Sequence, residues 1–201
     1  MLRGQFEFAE RHFAEAIALY DQIKDERSLG IALVNRGLAQ IEQRRFEDAR
    51  KSLAEGHRRL EAIGFYEQHV DLLLALSRLA AQEGDEAGAW QLLQQAQFHA
   101  GETRHPHLSA LVSRAMGEFF LRTGRIGPAI AALEAAAKTH GVRCPSLEGA
   151  RTQRELARAL AADGRGAEAE AALEAARRCL EGLDIPSDLA ELGVKACTPR
   201  S

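Results

Sequence analysis

Cysteine, proline and aromatic residues are sparse in this chain, and each shortage removes a class of explanation. The three cysteines, Cys144, Cys179 and Cys197, stand far apart with no Cys-x-x-Cys pair. A disulfide framework is therefore not expected, and the pattern fits a reducing compartment, the cytoplasm. Five prolines in 201 residues, beside abundant Ala and Leu, favour helix. Val, Ile and Tyr are scarce, and strand-like alternation is hard to find. No apolar run approaches the roughly 20 residues of a membrane-spanning helix. The opening "MLRGQFEFAERHF" is amphipathic and charged and lacks the apolar core of a signal peptide. An excess of positive charge is missing too. At a net −3 there is no global basic field to recruit nucleic acid or an anionic membrane.

What is present is a repeat. Glycines recur at steps of 40 residues as Gly4, Gly84, Gly124 and Gly164, with Arg44 alone breaking the series. Five residues on lies an unbroken column, Ala9, Ala49, Ala89, Ala129 and Ala169. Four further come Phe13, Leu53, Leu93, Leu133 and Leu173, and three further again Ala16, Gly56, Ala96, Ala136 and Ala176. Upstream of each turn sits another small residue: Gly37, Ser77, Gly117 and Ala157. Spacings of three and four place the Ala, the large residue and the second small residue on one helical stripe. Small residues at a crossing let two helix axes approach, and the large residue fills the space between. Each unit therefore reads as two antiparallel helices joined at the glycine.

The segments "NRGLAQIEQRRFEDARKSL", "MGEFFLRTGRIGPAIAALEAA" and "ELARALAADGRGAEAEAALEAA" resemble tetratricopeptide repeats. Phe46 and Ile126 take that family's slot after the turn, whereas Glu86 and Gly166 depart from it. The large aromatic early in the first helix is replaced by Leu33, Leu73, Ser113 and Gln153. The unit is about six residues longer than the usual repeat of roughly 34, and so resembles the longer-repeat subgroup of bacterial regulatory ATPases and signalling regulators. The resemblance covers nearly the whole chain. It implies an all-α fold, a right-handed superhelical solenoid of antiparallel helix pairs. The layout is a single domain over 1–201: a leading half repeat at 1–24, four full repeats at 28–63, 67–103, 107–143 and 146–183, and a short capping helix at 187–197.

Within that layout, helices are expected over 6–24, 28–43, 46–62, 67–83, 86–100, 107–123, 126–139, 146–163 and 167–181. Pro106 and Pro145 stand where helices break, and Ser146 is suited to be an N-cap. The half repeat at the start implies either a natural open end or the tail of a longer parent chain, the second being preferred.

Motifs of catalysis are not found. "GRIGPAI" and "GRGAEAE" match neither a phosphate loop nor a dinucleotide fingerprint, and both fall at repeat turns. His105, His107 and Cys144 are too few for a metal site, and no nucleophile is paired with a histidine at a telling spacing. No enzyme activity, cofactor or metal is expected.

Recognition is expected on the first helices. The resemblance implies that residues three before, two before, one after and four after the small residue look into a concave groove. These are Val34, Asn35, Leu38 and Ile41; then Leu74, Ala75, Arg78 and Ala81; then Arg114, Ala115, Glu118 and Leu121 with Arg122; and finally Arg154, Glu155, Arg158 and Ala161 with Arg151. The groove would begin apolar and end basic. It would suit a peptide or protein segment with apolar anchors at one end and carboxylates at Arg114, Arg154 and Arg158. Glu118 and Glu155 are placed to neutralise those arginines. The family's clamp for C-terminal carboxylates is not carried over, because Asn35 fits it only loosely and no lysine accompanies it. Val34, Leu38 and Ile41, with Phe6, Phe8 and Phe13, offer a second use of the apolar end, as a homodimer surface or a contact with a parent domain.

The leading expectation is a non-catalytic scaffold for a protein partner. The alternative is a regulatory or sensor segment of a larger bacterial signalling ATPase or transcription regulator. Nucleic acid is not expected as a ligand, given the charge and the lack of a stacking aromatic in each unit.

Overall fold

The computed structural model describes residues 2–64, 69–140 and 146–181, and every regular element among these is an α-helix. In chain order they are α1 (Leu2–Gln22), α2 (Glu26–Glu42), α3 (Phe46–Ala62), α4 (His69–Glu83), α5 (Glu86–Thr103), α6 (Pro106–Arg122), α7 (Ile126–His140), α8 (Leu147–Ala162) and α9 (Gly166–Leu180). The ends agree with the sequence reading to within a few residues. The capping helix expected at 187–197 lies outside the described residues.

The pairing follows from the repeat columns. Gly37 faces Leu53, while Gly30, seven residues earlier, faces Leu60, seven residues later. This inverted correspondence makes α2 and α3 antiparallel. A Cβ built on Gly37 would stand 2.7 Å from the Leu53 Cγ, and one on Gly117 would stand 2.5 Å from the Leu133 Cγ. Leu53 and Leu133 are themselves fully buried. The large residue of the second helix thus sits directly on the small residue of the first, as the columns require. The pairs α2–α3, α4–α5, α6–α7 and α8–α9 are each packed in this order.

Turns recur at the same register. Left-handed backbone occurs at Lys24, Arg44, Gly64, Gly84, Arg104, Gly124 and Gly164. The cycle of 40 therefore divides into two helix–turn segments of equal length. Arg44, the exception in the glycine column, adopts a φ of 60°, so tertiary packing imposes the turn where the residue does not favour it. Pro106 opens α6, where a missing N–H costs little. Ser146 caps α8, its hydroxyl accepting the Gly149 N–H at 3.0 Å.

Packing groups the chain into two compact units, Met1–Thr103 and Arg104–Ser201. In the first, α2 packs on α1, α3 and α4; in the second, α8 packs on α6, α7 and α9. First helices of successive pairs therefore lie side by side within each unit. A polar seam runs through the first unit: Arg36 Nε donates to the Ser52 hydroxyl at 3.2 Å, and that hydroxyl donates to Gln40 Oε1 at 2.8 Å. Both Ser52 and Gln40 are buried, and their bonds meet the cost of that burial.

One expectation about chemistry is corrected. Cys179 is disulfide-bonded, and the two remaining cysteines both lie outside the described residues. Sequence spacing misled here because a repeat brings distant residues together. The Ser146 N–H, for example, donates to the Cys179 carbonyl at 3.0 Å.

Candidate interaction site

In the first unit the expected groove residues divide by their place on the helix. Asn35 and Arg78 are exposed, and Leu38, Leu74 and Ala81 are half-buried. Val34, Ile41 and Ala75 are core residues instead, joined in one cluster with Leu53, Leu60 and Leu79. Val34 leans on Gly56 of α3, so its stripe faces the partner helix and not a groove. The apolar lining of this unit is accordingly reduced to Leu38, Leu74 and the small Ala81.

The second unit holds the charged candidates. Arg114 on α6 is half-buried between two carboxylates: it is paired with Glu118 one turn along and with Glu148 of α8 at 2.8 Å. Glu148 also accepts from Arg151 at 2.8 Å. Burial pushes the Glu148 carboxyl up, but the Arg114 and Arg151 guanidiniums outweigh it and hold it below its usual value. Arg114 therefore ties the two first helices to each other. Its Nε is buried without a partner, so the side chain is committed to this internal role. On the next turns of α8, Glu155 is buried and accepts from both Arg154, at 3.1 Å, and Arg158, at 2.7 Å. Arg158 nevertheless remains 69% exposed. Arg122 at the end of α6 lies over the Phe119 ring, 5.5 Å from its centroid. Ala115 and Leu121 are half-buried and Ala161 is exposed.

Glu148 is the member of this network that the sequence reading missed. Its signal was its place 34 residues after Arg114, nearly one repeat on, which brings the two into register across neighbouring first helices. Across α6 and α8 five arginines face three glutamates, leaving a surplus of two positive charges. The first helices of the other unit, α2 and α4, carry no such surplus.

Behind the network lies a buried histidine. His140 Nδ1 is 2.9 Å from the Thr152 hydroxyl, which itself donates to the Glu148 carbonyl at 2.8 Å. The hydroxyl proton being used, Nδ1 carries the donated hydrogen, and Nε2 is a buried lone pair without a partner. Burial, with His107 and Arg114 nearby, holds this imidazole below its ordinary pKa. The His105 and His107 rings lie 6.3 Å apart. No three His, Cys, Asp or Glu side chains among the described residues converge as a metal would need. No helix among them is long and apolar enough to cross a membrane.

No family model matches the sequence, and no curated protein matches it. Solved structures do resemble it. BtubC (BKLC) from P. vanneervenii superposes at a TM-score of 0.63 with 17% identity, over 99% of this chain and 79% of that one. A crystal structure of a single-residue variant of nearly identical TPR-like repeats, from a putative kinesin light chain of Podosopora anserina, gives 0.56 with 21% identity, over 89% of this chain and 94% of that one. A second structure of those repeats gives 0.53 with 20% identity, over 92% and 97%. At such identities the likeness is one of architecture, and with the column packing it fixes the fold as a TPR-like array of antiparallel helix pairs.

Proposed function

We propose that this chain is a non-catalytic scaffold that holds a protein segment against its first helices, with acidic side chains of the partner meeting α8. The observation that carries this reading is the Arg154–Glu155–Arg158 group. One buried carboxylate orients two guanidiniums, and a guanidinium carries more N–H donors than a single carboxylate engages. The donors left over point the chemistry toward carboxylates, and the surplus charge of α6 and α8 supports that sign. Arg151 and Arg122 extend the basic surface along the two helices. Arg114, held by Glu118 on its own helix, lies beneath it and ties α6 to α8 through Glu148. Asn35, Leu38 and Arg78 are the corresponding candidate contacts on the first helices of the other unit, taken by themselves.

A peptide array scanned with the purified chain, followed by calorimetry on the peptides retained, tests this. Acidic peptides should dominate. Reversing both Arg154→Glu and Arg158→Glu should weaken their binding by about tenfold to a hundredfold, and rising salt should weaken it in the unmodified chain. Unchanged affinity in the double variant, or retention of peptides without acidic residues, would overturn the reading.

A further inference from the structure

The repeat columns single out one corner of the second unit. Near the end of the second helices one column holds Leu60 in α3, Ala100 in α5 and Leu180 in α9, all buried. In α7 the same column holds His140, which is 4% exposed. A second column, on the first helices, runs Ala32, Leu72, Val112 and Thr152, again all buried. Its one hydroxyl is the group that meets His140, 2.9 Å from Nδ1. Two apolar slots of the repeat are thus given over to a polar pair. Aliphatic side chains fill these slots elsewhere with no hydrogen-bonding requirement, whereas the imidazole leaves Nε2 buried without a partner among the described residues. Packing does not account for that exchange, and breaks in a protein's own packing rule mark places where function overrides it.

The surroundings say what the imidazole can do. Helices α6 and α8 pack on α7. From α6 come Arg114 and His107, whose ring meets His140 edge to face with centroids 5.4 Å apart; from α8 comes Glu148. That one carboxylate is already bonded to Arg114 and Arg151. A proton on Nε2 would therefore lack an acceptor, and Arg114 and any charge on His107 would repel it. His107 also sits in the first turn of α6, where a helix disfavours added positive charge. We propose that the His107–His140 contact is an acid-sensitive latch, which at neutral pH holds the start of α6 against the end of α7 and which protonation of His140 unseats. Opening returns the imidazolium to water. The depressed pKa of His140 has the same sense. The open form takes up the proton at about the ordinary histidine value of 6.5 and the closed form only below it, so the latch is intact above that value and yields as pH falls through it. Histidine pairs at helix contacts are suited to such switching.

Native-state hydrogen exchange of the full chain tests this, read as protection factors so that the intrinsic effect of pH is removed. Between about pH 7.5 and pH 5.5, protection in the first two turns of α6 and the last turn of α7 should fall by about tenfold, while α2 and α3 keep theirs. His140→Leu, which restores the apolar residue of the column, should abolish the fall. His107→Phe keeps an aromatic contact without the charge and should lessen it. Circular dichroism at neutral pH checks that the variants are folded; should His140→Leu unfold, His140→Leu combined with Thr152→Val restores both apolar columns and serves the same purpose. Protection at these helix ends that does not change with pH would overturn the proposal. So would an undiminished fall in His140→Leu, which would place the titrating group elsewhere, or in His107→Phe, which would leave no latch between the two rings. No ligand enters these measurements, so they are independent of the acidic-peptide experiment on α8.

Discussion

At the scale of single residues, glycines in this chain do two opposite jobs. Gly117 is a contact residue: it is buried, and the space its side chain would need belongs to Leu133. Gly101, near the end of α5, is exposed and has nothing within 4 Å of a built Cβ. Replacing Gly117 with Ala gains helix propensity but forces Leu133 out of place, and should destabilise the chain by about 1–2 kcal/mol. Gly101→Ala should stabilise by about 0.5 kcal/mol, having only the propensity gain. Urea titrations of the two variants should move their midpoints in opposite directions; a shared sign would contradict the assignment. His140 adds a pH dependence. Its folded-state pKa is depressed by burial, then by His107 and Arg114, with Glu148 opposing. The unfolded chain therefore binds this proton more readily. Stability should be intact above the ordinary histidine pKa of about 6.5 and fall as pH drops from there toward the folded value. Thermal midpoints measured from pH 8 to pH 5 should show a smaller acid loss in His140→Leu than in the unmodified chain. Equal losses would remove His140 from the account.

At the scale of elements, the turn is the informative piece. Arg44 occupies left-handed backbone that costs a non-glycine residue about 1–2 kcal/mol. It is exposed, so little packing is lost on its removal. Arg44→Gly should therefore stabilise the chain by about 1 kcal/mol, whereas Gly124→Ala, at a φ of 73°, should destabilise it by a similar amount. Chemical denaturation of the pair checks both signs. The turn also shows what could be read in advance. Five columns located every helix pair, because small residues at crossings are chosen by contact geometry that repeats without insertion. The end of a helix was legible where Pro106 or Ser146 marked it. The rotation of a helix about its own axis was harder to read. Val34, Ile41 and Ala75 were expected in a groove, yet they are buried in one core cluster with Leu53, Leu60 and Leu79. Hydrophobicity marked them for burial, and the borrowed offsets turned them the wrong way. In the ion-pair network of α6 and α8 the sequence marked the arginines but not Glu148, which ties them together. Glu148 could be recognised only by treating residues about one repeat apart as neighbours.

At the scale of the whole molecule, stability is distributed in short-range pieces. The helices that pack substantially on one another stand one or two places apart in the chain, and they group into Met1–Thr103 and Arg104–Ser201. In such an array stability approximates a sum of unit terms and nearest-neighbour interfaces, so damage should stay near its origin. Gly117→Ala weakens the α6–α7 crossing, which shares packing with α8 through Arg114 and Glu148. Local opening governs amide exchange wherever it is easier than global unfolding. Native-state hydrogen exchange should therefore show faster exchange in α6, α7 and α8 of the variant, while amides of α2 and α3, buried about Leu53 and Ala49, keep their wild-type rates. The same logic applies to ligands. A peptide held by Arg154 and Arg158 should slow exchange in α8 and its neighbours. If one substitution in α6 accelerates every helix alike, the chain unfolds as a single cooperative block, and a ligand on α8 would then slow exchange in every helix.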